Sequence, residues 1–438
     1  MTAISKIAYS GERFNNSETS PMIKGLDRIR QTGDFPETAP AANPVFFRTY
    51  SRRTSAGRET WEQVCQRTVR GLAKLGQLTP EEADLLYRMQ RQLKALSSGR
   101  WLWVGGNEWI EQQENFSGAY NCSSTNITDW RAFGLLMDLA MMGCGTGAVL
   151  EPRYISKLPA IRNRLNVTVG GEIGSTPAHL RRELTEVRIE GGVSVAPPQE
   201  LVRMYVGDSR QGWVGCYQAL LELSTDERFS GEVQVFVDLS DVRAAGEPLK
   251  GFGGVANPVK LPELYQRCAA ILNKAVGRQL NSVECCLLID EAAVCIVAGN
   301  IRRSAGMRQF HAEDTLGANA KNNLWQQDEN GNWRIDPERD ALRMANHTRI
   351  FHQKPSEQEC VEAVRKQYYS GEGAIQWAGE AVARANCDLL SISEQKKDFL
   401  KAYDRGEARE WLQERYPNIA PDELEHRLAR VGLNPCGS

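Results

Sequence analysis

The sequence predicts an α/β fold. Helical periodicities and alternating strand patterns succeed one another along most of the 438 residues, the succession that builds layered α/β domains. Apolar residues make up 41% and charged residues 25%, the composition of a chain that buries a large core. At about one domain per 150 residues, the length predicts about three domains, or one large barrel with additions.

Residues 1–45 are rich in Pro, Asn, Gly and Ser without periodicity and read as a loosely ordered lead-in. Residues 57–98 read as two helices. The first, "GRETWEQVCQRTVRGLAKLG", puts Trp61, Val64, Val69, Leu72 and Leu75 near one face and is expected to stop at Gly76. The second opens on Thr79, Pro80 and Glu82, a capping box with proline at the first helical position, and carries Leu85, Leu86, Met89 and Leu93. "RWLWVGG" reads as a short strand and "RAFGLLMDLAMM" as a buried helix. "GCGTGA" after it reads as a close-approach turn, because a dinucleotide loop needs the order strand, glycine turn, helix. Residues 164–212 alternate as strands and hairpins. "SRQGWVGCYQALLELS" is helical, "GEVQVFVDLS" is a strand, and a helix at 262–278 precedes an apolar run at 283–298. Ser356 and Glu359 form another capping box, and helices from 393 and 421 lead to a helix stop at Gly432.

The net charge of −2 gives no reason to expect nucleic acid or a membrane surface as partner. No apolar run is long enough to span a membrane and no secretory signal is visible, so a cytoplasmic protein is expected. Eleven cysteines without a C-x-x-C pair argue for reduced thiols rather than a disulfide framework. Cys65, Cys268, Cys285, Cys286, Cys295, Cys360 and Cys387 read as small buried hydrophobes, and no metal site is expected among the scattered histidines, His347 and His352 included.

Four stretches carry candidate chemistry. In "LNPCGS", Pro435 fixes its own φ and pushes Asn434 out of the helical region, so Cys436 stands on a turn, either as a reactive thiol or as a chance turn cysteine. In "GAYNCSSTNI", Cys122 lies beside Ser123 and Ser124, whose hydroxyls either bind a polar substrate or belong to the cap of the following helix near Asp129. In "GNIRRSAG", Arg302 and Arg303 are either a phosphate fork or a solvated pair. In "GEPLKGFGG", amides around Gly251, Gly253 and Gly254 either line a ligand or belong to a surface loop.

Together these stretches point further. The ordered set "RTYSRR", "GRWLWVGG", "NFSGAYNCSSTNI", "GTGAVLEPRYI", "VGDSRQGW", "GEPLKGFGG", "VAGNIRRSAGM", "HTRIFHQKPS", "QYYSGEGAIQWA" and "LNPCG" resembles the adenosylcobalamin-dependent (class II) ribonucleoside-triphosphate reductases. The resemblance implies the first half of a ten-stranded α/β barrel, with a lead-in and helical segment at 1–100 and the half-barrel at 101–438. Within that half-barrel it implies an effector-binding insertion at 150–230 and the start of the central catalytic loop at 431–438. It implies reduction of ribonucleoside triphosphates to deoxyribonucleotides through a thiyl radical on Cys436, with Asn434 contacting the sugar, Cys122 as the first redox cysteine, and Ser123 and Ser124 at the substrate. Adenosylcobalamin is the implied cofactor. A ribonucleoside triphosphate, a dNTP effector, a thioredoxin-type reductant and a C-terminal half of the enzyme are the implied partners. The family places glutamate where this chain has Ser438. The isolated chain is therefore expected to be inactive, as a truncated, split or intein-interrupted N-terminal half. The rival expectations are a non-catalytic nucleotide-binding fragment and a splicing precursor.

Overall fold

The computed structural model describes residues 35, 39–54, 57–193, 199–229, 231–249, 256–298 and 305–435. The expected lead-in falls largely outside them. So do Gly251, Gly253, Gly254, Arg302, Arg303 and Cys436. The chain divides into two compact units, residues 1–113 and 114–438.

In the first unit, helix α1 (Trp61–Gly76) starts at a Thr60–Gln63 capping box, and α2 (Pro80–Arg91) starts at the Thr79–Glu82 box expected from sequence. The turn after α1 is made by Gln77 at φ 50° rather than by Gly76. "RWLWVGG" is helix α3 (Gly99–Val104), not a strand. Ser98 accepts the Trp101 N–H as its cap, and Trp101 Nε1 donates to Thr68 O at 3.0 Å on α1. A six-residue apolar run has no period of its own, so the cap and the helix it packs on decide its form.

The second unit holds two main sheets and a two-stranded antiparallel hairpin, Trp325–Gln327 with Trp333–Ile335. The larger comprises β1 (Cys122–Asn126), β2 (Gly145–Val149), β7 (Gly306–His311), β8 (Asn346–Phe351) and β9 (Ala374–Trp377), in the order β9-β8-β7-β2-β1 with every pair parallel. The smaller comprises β3 (Arg164–Gly170), β4 (Glu186–Val193), β5 (Gln199–Tyr205) and β6 (Glu232–Asp238), in the order β3-β6-β5-β4, with only β4–β5 antiparallel. Parallel pairing requires crossovers. Helix α4 (Trp130–Met141), capped by Asp129 accepting from Ala132 N, crosses from β1 to β2. The fold is thus mixed α/β with parallel sheets, as expected.

One apolar core joins α4, α5 (Arg210–Leu223), α6 (Leu261–Lys274), α7 (Ser282–Ala293) and the smaller sheet. The apolar run at 283–298 forms α7 and then a π-helical turn at Val294–Ala298. A second core gathers α9 (Ser393–Asp404), α10 (Pro421–Leu428), Ile350 and Val431. Between these, α8 (Glu357–Ser370) starts at its Ser356–Glu359 box.

Three local expectations change. "GCGTGA" is a turn only at its start: Gly143, at φ 74°, turns the chain after α4, while Gly145 and Gly147 stand in the fully buried strand β2. Helix α10 ends at Leu428 with Ala429 as cap, so Gly432 is not its stop. Cys387, in the turn after the helix Ala378–Ala385, is exposed and Cys360 is half-buried, whereas Cys65, Cys268, Cys285, Cys286 and Cys295 are buried. No described helix is long and apolar enough to cross a membrane.

Candidate active site

Strand alternation places Cys122, Ser124 and Asn126 on one face of the larger sheet and Ser123 and Thr125 on the other. Register carries the first face across the sheet. Cys122 pairs with Gly145, Ser124 with Gly147 and Asn126 with Val149; Val149 pairs with Gln309, and Gln309 with Thr348. Ile350, two residues along β8, pairs with Gln376. A face buried on a parallel sheet is ordinarily aliphatic. This one is lined with amides and hydroxyls.

The chain end explains them. The segment after α10 runs back over this face from the C-terminal ends of the strands toward their N-terminal ends. Asn126 Nδ2 donates to Ala429 O at 3.3 Å, and Gln376 Nε2 donates to Val431 O at 2.6 Å. Gln309 accepts the Leu433 N–H at Oε1 (2.7 Å) and donates from Nε2 to Leu433 O (2.9 Å). An irregular segment buried on a sheet must satisfy its backbone groups, and here side-chain amides from three strands take over that role. Glycine makes the room. A Cβ on Gly147 would stand 2.5 Å from Leu433 O and 3.0 Å from Ser123 O, and one on Gly432 would collide with Ser124 Oγ.

The segment arrives at Cys122. A Cβ on Gly145 would meet Cys122 Sγ at 2.8 Å and Pro435 Cγ at 3.4 Å, so the proline preceding Cys436 and the sulfur of Cys122 flank one glycine. Cys122 is disulfide-bonded. Asn434 is half-buried beside them. The structure therefore brings Asn434, Pro435, Cys122 and Ser124 to the N-terminal end of the sheet. Ser123 shares the strand but not the face, and its Oγ donates to Gly145 O at 3.2 Å. Cys436 itself lies outside the described residues.

The opposite face is closed by charge. Arg308 is fully buried. Its Nε donates to Asp290 Oδ1 at 2.9 Å and its Nη1 to Thr146 O at 2.8 Å. The Cys286 thiol lies 3.2 Å from Asp290 Oδ2 and 3.6 Å from His347 Nε2. Burial pushes the Cys286 thiol well up, and burial with Lys321 and Arg308 nearby holds His347 well below its ordinary value. A neutral thiol beside a neutral imidazole in a sealed core props the sheet and offers no nucleophile.

Sequence reasoning named the cysteines and Asn434, and Asn126 only as one of the polar groups around Cys122, but missed Gln309 and Gln376. Their signal was present: glutamine at an interior strand position in "GMRQFH" and "AIQW", where alternation calls for an apolar residue. Replacing Gln309 by leucine is expected to leave both Leu433 backbone groups unpaired at a cost of about 1–3 kcal/mol. Faster amide exchange and proteolysis C-terminal to α10 should follow, with the strands themselves still protected. Unchanged exchange at Leu433 would show that the amide does not hold the segment.

Residues 194–272 match the family model described as the insertion domain of B12-dependent ribonucleotide reductase. Over 312 residues the chain is 28% identical to the adenosylcobalamin-dependent ribonucleoside-triphosphate reductase of Levilactobacillus brevis, covering 62% of this chain and 41% of that one. A Mycobacterium phage D29 protein named for the same reaction is 30% identical over 294 residues, 63% of this chain and 40% of its own. A Dictyostelium discoideum protein, again named for that reaction, is 24% identical over 415 residues, 90% of this chain and 46% of its own.

The chain is similar to the class II, B12-dependent ribonucleotide reductases.

The crystal structure of a B12-dependent (class II) ribonucleotide reductase shares the fold of this chain, with a TM-score of 0.59 at 20% identity, over 80% of this chain and 51% of that one. The chain spans about half the length of the relatives it matches. The insertion-domain match begins inside the 150–230 stretch expected to bind effector and runs past it, through β5, α5, β6 and α6.

Proposed function

We propose that this chain carries the catalytic half-barrel of a reductase that converts ribonucleoside triphosphates to 2′-deoxyribonucleoside triphosphates, supplying DNA precursors. The observation that carries the reading is the amide-pinned segment at 429–435, which brings the residue preceding Cys436 to Cys122 across more than three hundred residues of sequence. In this reading the five parallel strands are one half of a ten-stranded barrel, and the segment from 431 is the start of its central loop.

Adenosylcobalamin, when bound, supplies the radical. No described residue is assigned to the corrin. What the chain provides is sulfur placed for the ribose. As a thiyl, Cys436 takes the 3′-hydrogen and becomes a thiol, and Asn434 holds the sugar hydroxyls. Cys122 and a second thiol give up two electrons and their protons as they join in a disulfide. The 2′-hydroxyl leaves as water and the 3′-hydrogen returns, restoring the thiyl. A thioredoxin-type protein would reset the disulfide. Ser124, on the face of Cys122, is placed for the substrate; Ser123 would act through the backbone of β2. The insertion domain, with the smaller sheet, is the place for a dNTP effector, and the compartment is the cytoplasm.

The test is deoxynucleotide formation by this chain alone and by this chain joined or mixed with the C-terminal portion its relatives carry, with adenosylcobalamin, a dithiol and each ribonucleoside triphosphate. Cofactor-dependent product is expected from the completed enzyme and none from the chain alone. A completed enzyme that binds the nucleotide and forms no product would overturn the reading.

A further inference from the structure

The parallel sheet has a second chemical end. Glu151, His311 and His352 follow or close β2, β7 and β8, three adjacent strands, at the end opposite Cys122. Alternation puts all three on the face that the terminal segment crosses, since they stand two residues beyond Val149, Gln309 and Ile350. One ligand atom from each lies within 4.8 Å of the other two. Glu151 is completely buried, and His311 and His352 are half-buried. Beside them opens a cavity of about 800 Å³ lined by Glu151, Arg153, Glu313 and Asp314 among others.

We propose that Glu151, His311 and His352 form a binding site for a borderline divalent transition-metal ion, such as Zn²⁺ or Fe²⁺, with its remaining coordination positions open to that cavity. Two imidazoles and one carboxylate on one side of an ion are a donor set such metals favour over Mg²⁺ or Ca²⁺. The outer partners fit. Tyr403 OH lies 3.1 Å from His352 Nδ1, which orients the ring so that Nε2 faces Glu151 at 2.5 Å. Arg153 bonds Glu151 Oε2 at 2.8 Å, leaving Oε1 for the ion. His311 stacks on His352, their ring centroids 5.5 Å apart, and its Nδ1 accepts the Glu313 N–H at 3.2 Å, a contact that ligation through this nitrogen would replace.

Charge also favours a cation here: Glu151, Glu313 and Asp314 face one guanidinium, Arg153. The other three-residue group, Cys286, Asp290 and His347, has the reverse balance. Asp290 is committed to Arg308, and the cavity beside His347 is lined by Lys321, Arg349 and Lys366.

The site is separate from the reductase reading and is tested without turnover. The purified chain, stripped with chelator, is titrated with Co²⁺ alone and followed by its visible d–d absorption. One equivalent should bind, displaceable by Zn²⁺. Glu151→Gln, nearly isosteric, and His311→Asn should each weaken binding beyond the about 10–100-fold expected for loss of an outer partner; Tyr403→Phe should fall within that range. Stoichiometric bands unchanged in Glu151→Gln and His311→Asn would overturn the proposal. So would no band in the folded wild-type chain, or bands of thiolate type abolished by Cys286→Ala.

Discussion

Replacing Cys436 by serine in the completed reductase is expected to abolish both deoxynucleotide formation and release of the 3′-hydrogen of the substrate. A serine hydroxyl holds its hydrogen too strongly to serve as the radical carrier at this position. Cys122→Ser is expected to separate the two readouts. It should lower deoxynucleotide formation by about 10³-fold or more while 3′-hydrogen exchange from labelled substrate survives, because that step needs one sulfur and reduction needs a pair. Groups that act as a unit lose most of the rate when any one is removed. Deoxynucleotide from the Cys436→Ser enzyme would end the thiyl assignment. Equal loss of exchange and reduction in Cys122→Ser would place Cys122 in the first step rather than the second.

The largest effect on stability is expected behind the sheet. Asp290→Ala leaves the Arg308 guanidinium fully buried with its Thr146 carbonyl contact but without its carboxylate. Breaking one side of a buried pair costs about 3–5 kcal/mol. Burial raises the Asp290 pKa and Arg308 opposes that rise, so the pair depends on its geometry rather than on an intrinsically comfortable carboxylate. Denaturant unfolding should show the full loss in Asp290→Ala and a clear recovery in the double variant Asp290→Leu with Arg308→Met, which removes both charges. A cost below about 1 kcal/mol for Asp290→Ala would mean that water reaches the pair.

Much of this was legible in the residues. Thr79-Pro80 with Glu82 and Ser356 with Glu359 start helices where the capping rule places them, because a cap depends on residues three apart. The alternation of "GEVQVFVDLS" gave β6, since a half-buried strand writes its period into its own sequence. The turn chemistry of Asn434-Pro435 and the hydroxyl run at Cys122 singled out the two ends of the candidate site, and the ordered motifs named the family that the comparisons support.

Elsewhere local pattern was silent or misleading. "RWLWVGG" looked like a strand and is a helix, because Ser98 and the Thr68 carbonyl, thirty residues apart, choose for it. "GCGTGA" looked like a turn throughout, yet only Gly143 turns; Gly145 and Gly147 stand in the most buried strand of the sheet, where they clear a path for Leu433 and Pro435, residues that meet them only in the fold. Ser123 and Ser124 are equivalent on paper and lie on opposite faces. Gln309 and Gln376 read as oddities until the backbone they satisfy is seen.

The sequence by itself determined the α/β class, the helix starts marked by capping boxes, the reactive residue types and the family resemblance. Each rests on neighbours within a turn or two, or on motif order along the chain. The tertiary structure alone decided which side chains meet: Cys122 with Pro435, Gln309 with Leu433, Glu151 with His311 and His352. Those meetings depend on strand register and crossover, and a parallel sheet sets both through contacts between residues from 23 positions apart (Cys122 and Gly145) to 160 (Thr146 and Gly306), which no local window of sequence contains.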